Sequence, residues 1–269
     1  MYRIITVDLD GTLLSPENKI TKYTEKIIKL LINKGLFIVF ASGRHHIDMM
    51  YIRDNLNIRI FMITSNGAKV YNLDNKLIFE NNLDVEIAFK LASLKYFESD
   101  IITQIYRNNQ WYINNSKIEN NFCPSLSLLK HEYFYLDRFN FSKVSKIFYT
   151  SNNLEKLCAL EKYIITLLGD KVNVNFSIPG CLEVISGKTS KGHGLKLISN
   201  ILGVSLKECI TFGNGMNDYD MLSISGKPCI MENSDSRLKK ILPYAEIIGN
   251  NADDSVAVFL EKMFITSNH

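Results

Sequence analysis

Three short apolar runs near the N-terminus each end in a small, polar, glycine-containing loop. Ile4 to Val7 runs into Asp8-Leu9-Asp10-Gly11-Thr12. Leu36 to Phe40 runs into Ala41-Ser42-Gly43-Arg44. Ile58 to Ile63 runs into Thr64-Ser65-Asn66-Gly67-Ala68. Helical periodicity separates them, with Ile27, Leu30 and Leu31 on one face of Thr21 to Asn33 and a second helix over His46 to Leu56. Strand, helix, strand, helix, strand predicts an α/β fold, with a Rossmann-like parallel sheet and right-handed crossovers. Functional groups in such a sheet gather beyond the carboxyl ends of the strands.

The texture changes after Lys69 to Phe79, which alternates as a small hairpin would. A helix at Val85 to Phe97, short strands at Ile101 to Tyr106, Asn109 to Ile113 and Val144 to Tyr149, a helix at Asn153 to Leu168 and an alternating strand at Val172 to Ile178 read as an α+β unit with a mostly antiparallel sheet. Pro179-Gly180 reads as its exit. Strand–helix alternation then resumes: Cys181 to Ile185, Ser190 to Leu202, Cys209 to Phe212, Tyr219 to Ile224, Lys227 to Met231, Ser236 to Leu242, Ile247-Ile248 and Ser255 to Phe264. The expected organisation is a core built from 1–82 and 181–269, with 83–180 inserted between its halves.

With 31 basic and 28 acidic residues the net charge is +3, too balanced for a nucleic-acid binder. Hydrophobic residues make up 46% of the chain, enough for a sizeable core. No segment is long and apolar enough to span a membrane, and none reads as a cleavable leader. Cys123, Cys158, Cys181, Cys209 and Cys229 are widely spaced and form no Cys-x-x-Cys pair, so neither a zinc site nor a disulfide framework is indicated. They read as buried small hydrophobes in a reducing, cytoplasmic setting.

Four stretches carry chemistry. Asp8 and Asp10 project to one side if the extended spacing continues, although Asp-Gly alone is also an ordinary turn. Ser42 offers a hydroxyl, Lys191 a cation at a helix start, and Gly213-Asn214-Gly215-Met216-Asn217-Asp218 a further carboxylate after a strand. Phosphoryl transfer needs this combination: cations offset charge on the equatorial oxygens, hydroxyl and backbone donors fix them, a carboxylate can attack, and a second can move the proton. The residues by themselves do not choose which aspartate attacks.

In that order and context the motifs resemble the haloacid dehalogenase superfamily, and within it the Cof-type phosphatases with the large α/β (type C2) cap. The likeness runs over essentially the whole chain, through Asp8-Leu9-Asp10-Gly11-Thr12-Leu13, Ser42 in Ala41-Ser42-Gly43-Arg44, Lys191 in Thr189-Ser190-Lys191-Gly192, and Gly213 to Leu222. The resemblance implies a Mg²⁺-dependent phosphomonoester hydrolase working through an aspartyl-phosphate. Asp8 would be nucleophile and metal ligand. Asp10 would be general acid/base and would lend its backbone carbonyl to the metal, and Thr12 would help fix both. Ser42 would donate a hydrogen bond to the phosphoryl group. Beside it, Gly43 and Arg44 themselves read as phosphate-binding residues, with Arg44 equally able to pair with a surface carboxylate, and Asn66 reads as a residue that contacts substrate or holds its loop. Lys191 would bind phosphate and stabilise Asp8, and Asn217 would hold the Lys191 side of the site. Asp218 would bind the metal directly or through water, and Asn214 would offer it a carbonyl oxygen, although the family usually has Asp where this chain has Asn214, which removes one negative charge.

The inserted unit would be a cap that excludes water and selects the leaving group, hinged near Asn82 and Pro179-Gly180. The expected substrate is a small phosphorylated metabolite, with a sugar phosphate favoured. The expected partners include no nucleic acid and no membrane, and the expected assembly is a monomer or weak homodimer. A phosphotransferase or phosphomutase of the same superfamily, and a non-catalytic phosphometabolite-binding protein, remain as alternatives. His45 and His46 cannot share a helix face and read as surface or substrate-rim residues. Glu183 reads as a group that orients Lys191 or a sugar hydroxyl.

Overall fold

A computed structural model describes residues 2–94, 101–114, 127–178 and 180–266. Among these the strands are β1 (Ile4–Asp8), β2 (Phe37–Ala41), β3 (Phe61–Thr64), β4 (Lys69–Tyr71), β5 (Leu77–Glu80), β6 (Ile102–Arg107), β7 (Gln110–Ile113), β8 (His131–Tyr133), β9 (Val144–Thr150), β10 (Val172–Ile178), β11 (Cys181–Ser186), β12 (Cys209–Gly213), β13 (Lys227–Met231) and β14 (Glu246–Ile248). The α-helices are α1 (Lys22–Asn33), α2 (His46–Leu56), α3 (Val85–Ala92), α4 (Leu154–Leu168), α5 (Lys191–Leu202), α6 (Tyr219–Ile224), α7 (Ser236–Ile241) and α8 (Ser255–Glu261). Cys123 and Pro179 lie outside the described residues, as do positions 95–97 of the helix expected from Val85.

The first sheet has the order β14-β13-β12-β1-β2-β3-β4-β5. It is parallel from β14 to β3 and ends in the antiparallel hairpin β4–β5. β1 sits at its centre with every residue buried, which is why it reads as an unbroken apolar run up to Asp8. The chain leaves β1 towards β2 on one side and returns as β12 on the other, so the carboxyl end of β1 is a topological switch point. Apolar residues cover both faces. Ile27, Ile28 and Leu31 of α1 pack with Ile5 and Phe40 on one side. Leu195 and Ile198 of α5 pack with Ile4 and Val39 on the other.

The second sheet, β10-β11-β9-β6-β7-β8, is antiparallel apart from the β7–β8 pair. α3 and α4 lie on it, burying Leu91, Leu157, Leu160 and Ile164 against Ile147, Tyr149 and Val184. The expected return to the first sheet at residue 181 is displaced. β11 pairs antiparallel with both β10 and β9, so it belongs to the second sheet. Gly180, at φ +85°, turns a local hairpin instead of ending the unit. A glycine turn signals a change of direction, and here the change folds the chain back onto its neighbour. The crossing back therefore runs through the turn at 187–189, where Thr189 N–H donates to Ser186 O, and ends at α5.

Candidate active site

The carboxyl end of β1 opens into one wide turn over Leu9 to Leu13, closed by Leu14 N–H donating to Leu9 O at 2.9 Å. Gly11 makes it possible. Its φ is +74°, and a Cβ there would collide with the Asn214 side chain arriving from β12. The turn puts Asp8 and Asp10 on the wall of a cavity of about 360 Å³ that Ser42, Arg44, Asn214 and Asn217 also line. The loops after β1, β2 and β12 thus meet at the switch point.

Lys191 is the first residue of α5, whose N-cap Ser190 accepts from His193 N–H. Its side chain is fully buried, and Nζ stands 2.6 Å from Asp8 Oδ1 and 2.6 Å from Asp218 Oδ1. Two carboxylates share one ammonium, which leaves an excess negative charge out of water. Burial alone would lower the Lys191 pKa, but the Asp218 and Asp8 charges outweigh it and raise it. The excess falls on Asp8. Burial first, and the Asp218 charge second, push its carboxyl up to about 7 against the pull of Lys191. Oδ2 of Asp8 takes no hydrogen bond among the described residues, so this carboxylate is gripped by one oxygen and open at the other.

Asp218, expected to reach a metal directly or through water, is held by protein groups at both carboxylate oxygens. Oδ1 accepts from Lys191, and Oδ2 accepts from both Asn214 N–H and Gly215 N–H at 2.9 Å. With no exposed surface it anchors the 213–218 loop and the lysine. Of the residues expected at the metal, Asp8, Asp10 and Asn214 line the cavity, and their oxygens suit a hard divalent cation. Asn214 Oδ1 accepts from the Thr12 hydroxyl at 3.3 Å, which ties the first loop to the last. No group of three or more His, Cys, Asp or Glu side chains that could hold a metal occurs among the described residues.

Arg44 meets Asp10 rather than a surface carboxylate, with Nε 2.9 Å from Oδ2 and Nη2 2.5 Å from Oδ1. A guanidinium has five N–H donors, so several remain for an incoming anion. Ser42 Oγ accepts from Arg44 N–H at 3.1 Å, which leaves its hydroxyl proton free to donate into the cavity. Asn66 stands behind the lining as a brace. Its Nδ2 donates to Glu183 Oε2, its Oδ1 accepts from Asn217 Nδ2, and its backbone N–H donates to Ser42 O. Ser65, Asn66 and Gly67 all have positive φ, a strained run held by these bonds and by Ser65 N–H donating to Arg44 O.

His45 and His46 are buried, not at the surface or substrate rim. The second sheet covers the start of α2. His45 Nε2 meets Asn108 O at 2.9 Å and its ring stands edge-on to Tyr106, while His46 stacks on Tyr71. Burial is the main cause that pushes the two imidazoles down to about 3 and about 4, so both are neutral. Glu183 pairs with Lys146 at 2.7 Å and not with Lys191. Lys146 and Asp48 line the cavity without any motif to mark them. Asp48 accepts from Leu128 N–H and Ser127 Oγ across the gap between the sheets.

The Asp8 shift sets a pH dependence. In the unfolded chain its proton leaves near 3.8, so between about 4 and about 7 the folded protein binds a proton that the unfolded chain does not. Stability from this group is fully present below about 4 and is lost as pH rises through about 7. In chelator, the Tm of the wild-type protein should fall relative to that of Asp8→Asn across this window. A difference between the two that stays flat from pH 4 to 8 would refute the charge excess.

Comparison with known proteins shows the family. A family model described as haloacid dehalogenase-like hydrolase matches residues 5–260. The chain is 73% identical over 268 residues to a provisionally named phosphatase of Buchnera aphidicola subsp. Schizaphis graminum, covering 100% of this chain and 98% of that one. It is 29% identical over 260 residues to the HMP-PP phosphatase of Cronobacter sakazakii, covering 97% and 95%. A solved haloacid dehalogenase-like hydrolase from B. subtilis superposes with a TM-score of 0.84 at 24% identity, over 97% of this chain and 100% of that one, which is a likeness of fold.

Proposed function

The chain belongs to the haloacid dehalogenase-like hydrolases and, like its named relatives, is a phosphatase; from that premise we propose that it hydrolyses small phosphomonoesters through an aspartyl-phosphate on Asp8. The observation that carries this reading is the grip of Lys191 on one oxygen of a buried Asp8 whose other oxygen has no partner among the described residues. Oδ2 attacks phosphorus and the bond to the leaving oxygen breaks. Asp10 gives that oxygen its proton, then takes one from the water that cleaves the acyl phosphate and returns Asp8 to a carboxylate. Ser42 and the free N–H groups of Arg44 hold the phosphoryl oxygens, and Asn217 lines the same wall. Asp10 must leave the two-point grip of Arg44 to carry a proton, and an arriving phosphate that competes for the guanidinium supplies the reason for it to do so.

Haloacid dehalogenase phosphotransferases generally use Mg²⁺, and Asp8, Asp10 through its backbone carbonyl, and Asn214 would hold it here, where it offsets charge on the phosphoryl oxygens. The second sheet acts as the cap. It supplies Tyr106, Lys146, Phe148, Ile178 and Glu183 to the cavity, so the leaving group is chosen by this unit. A volume of about 360 Å³ supports a small metabolite. A sugar phosphate is the first candidate. The apolar wall of Phe148, Ile178 and Cys181 favours, as a second, a phosphate ester with an apolar or ring-bearing leaving group. Cys158, Cys181, Cys209 and Cys229 are all free, which supports work in a reducing compartment such as the cytoplasm. No helix among the described residues is long and apolar enough to cross a membrane.

The test is phosphate release from a metabolite panel that includes sugar phosphates, ring-bearing phosphates and HMP-PP, with Mg²⁺ and with chelator. Free phosphate that depends on Mg²⁺ is expected. Phosphate found only on an acceptor molecule would replace hydrolysis with phosphotransfer, and binding without turnover across the panel would make the protein a binder. Asn214→Asp restores a carboxylate to the oxygen set and should lower the half-saturating Mg²⁺ concentration by about tenfold, since ligand charge tunes affinity for hard cations.

A further inference from the structure

Lys146 lies in the middle of β9 and Glu183 in the middle of β11, both facing the first sheet and both buried. Lys146 Nζ donates to Glu183 Oε1 at 2.7 Å and to the Gly43 carbonyl at 2.6 Å, and sits 4.8 Å and 4.7 Å from the ring centres of Tyr106 and Phe148. Glu183 Oε2 accepts from Asn66 Nδ2. A Cβ at Gly43 would fall 2.8 Å from that same oxygen, so the second sheet rests here on bare backbone. From Asn66 the contacts pass to Ser42 O through its backbone N–H and to Asn217 through its side chain. Each member of the pair therefore touches a loop that carries a phosphate-binding group, and neither touches Asp8, Asp10 or Lys191.

A buried ion pair is a poor route to stability, because apolar residues of similar volume often serve as well once desolvation is counted. What an apolar pair could not do is hold the Gly43 carbonyl and the Asn66 amide in fixed places. We propose that Lys146 and Glu183 are a positioning pair: seated on the first sheet, they fix the Ser42–Arg44 loop and the Asn66–Asn217 contact, so that the phosphate-binding groups are assembled only under the closed second sheet. The chemistry is thereby coupled to closure, and an open site has a slack Ser42 loop that binds and orients phosphate weakly. The kinetic part of this inference rests on the phosphatase reading above. The structural part does not.

The variants are Lys146→Met, Glu183→Gln, the two combined, and Lys146→Arg, which keeps charge and donors. The probes are an aryl phosphate with Mg²⁺, inorganic phosphate as a competitive inhibitor, and amide hydrogen exchange over residues 42–46. Each single variant should lower kcat/KM by about 30- to 100-fold, the scale of a misplaced reacting group. The combined variant should be no worse than the poorer single, since the pair acts as one unit. Inhibition by phosphate should weaken with them, exchange at 42–46 should quicken about tenfold while β12 is unchanged, and Lys146→Arg should recover part of each loss. Folded Lys146→Met with exchange and phosphate inhibition within about threefold of wild type would overturn the proposal, as would losses that multiply in the combined variant. Wild-type protein without turnover would sink the phosphatase reading, and the exchange comparison would then decide the role of the pair alone.

Discussion

Asp8→Asn should remove turnover, by on the order of 10⁴-fold or more in kcat, because in the proposed mechanism it takes away the attacking group rather than one of its supports. That ratio corresponds to about 5.5 kcal/mol of barrier, more than the loss of a single donor around the phosphate would cause. The substitution keeps the shape of the side chain and keeps an oxygen for Lys191, so the fold should survive. It also removes the negative charge that the triad holds in excess. Chelated Asp8→Asn protein should therefore be at least as stable as wild type at pH 7, the sign opposite to that of an ordinary buried substitution. Loss of turnover together with retained or raised Tm separates the nucleophile from a merely structural aspartate. Aryl phosphate hydrolysis, with single-turnover trapping of an acid-stable phosphoprotein, measures the first arm, and thermal unfolding in chelator at pH 7 measures the second. A variant rate within tenfold of wild type would assign the attack elsewhere.

How much of this was legible in the sequence depended on how local each signal is. The loops at Asp8 to Thr12, Ser42 to Arg44 and Gly213 to Asp218 were readable because each is set by its own strand end and its own glycine. Helix α1 was readable from its short-range apolar periodicity. Membership of β11 was not. Pairing of Cys181 to Ser186 with β9 is a contact made across more than thirty residues, and a Pro-Gly turn looks the same whether the chain leaves a sheet or doubles back in it. His45 and His46 were misplaced for a related reason: what buries them is distant in sequence, Tyr106 and Asn108 of the inserted unit for His45 and Tyr71 of the β4 hairpin for His46, which their own helix pattern cannot report. Asp218 was identified as a site residue, but its work was not. Only the placed backbone shows that one oxygen is used by two N–H groups and the other by Lys191. Lys146 sat unmarked in a plain strand, since a single lysine in an apolar run carries no motif, and only the sheet register brings it to Glu183 and Gly43.

Lys191→Met should cost more stability than any other single change at the site, and the loss should depend on pH. The ammonium is fully buried between Asp8 and Asp218, and its removal leaves two carboxylates facing each other out of water. Breaking a buried ion pair from one side typically costs about 3–5 kcal/mol. Asp8, already at about 7 with Lys191 beside it, would rise further. A carboxyl whose folded pKa lies above its unfolded one contributes stability at low pH and loses it as pH rises, so the deficit of Lys191→Met should be small near pH 4 and large near pH 8. Denaturant titrations at the two pH values measure the difference. Adding Asp218→Asn removes the second charge and leaves its carbonyl oxygen for the backbone N–H groups of Asn214 and Gly215, so the double variant should recover part of the stability lost at pH 8. Turnover should not recover with it, because Asp8 still lacks the cation that orients Oδ1 and offsets the incoming phosphate. Recovery of both would reduce Lys191 to a packing role. Recovery of neither would mean that the cost of the single variant is lost packing of the lysine stem and not the unpaired charge.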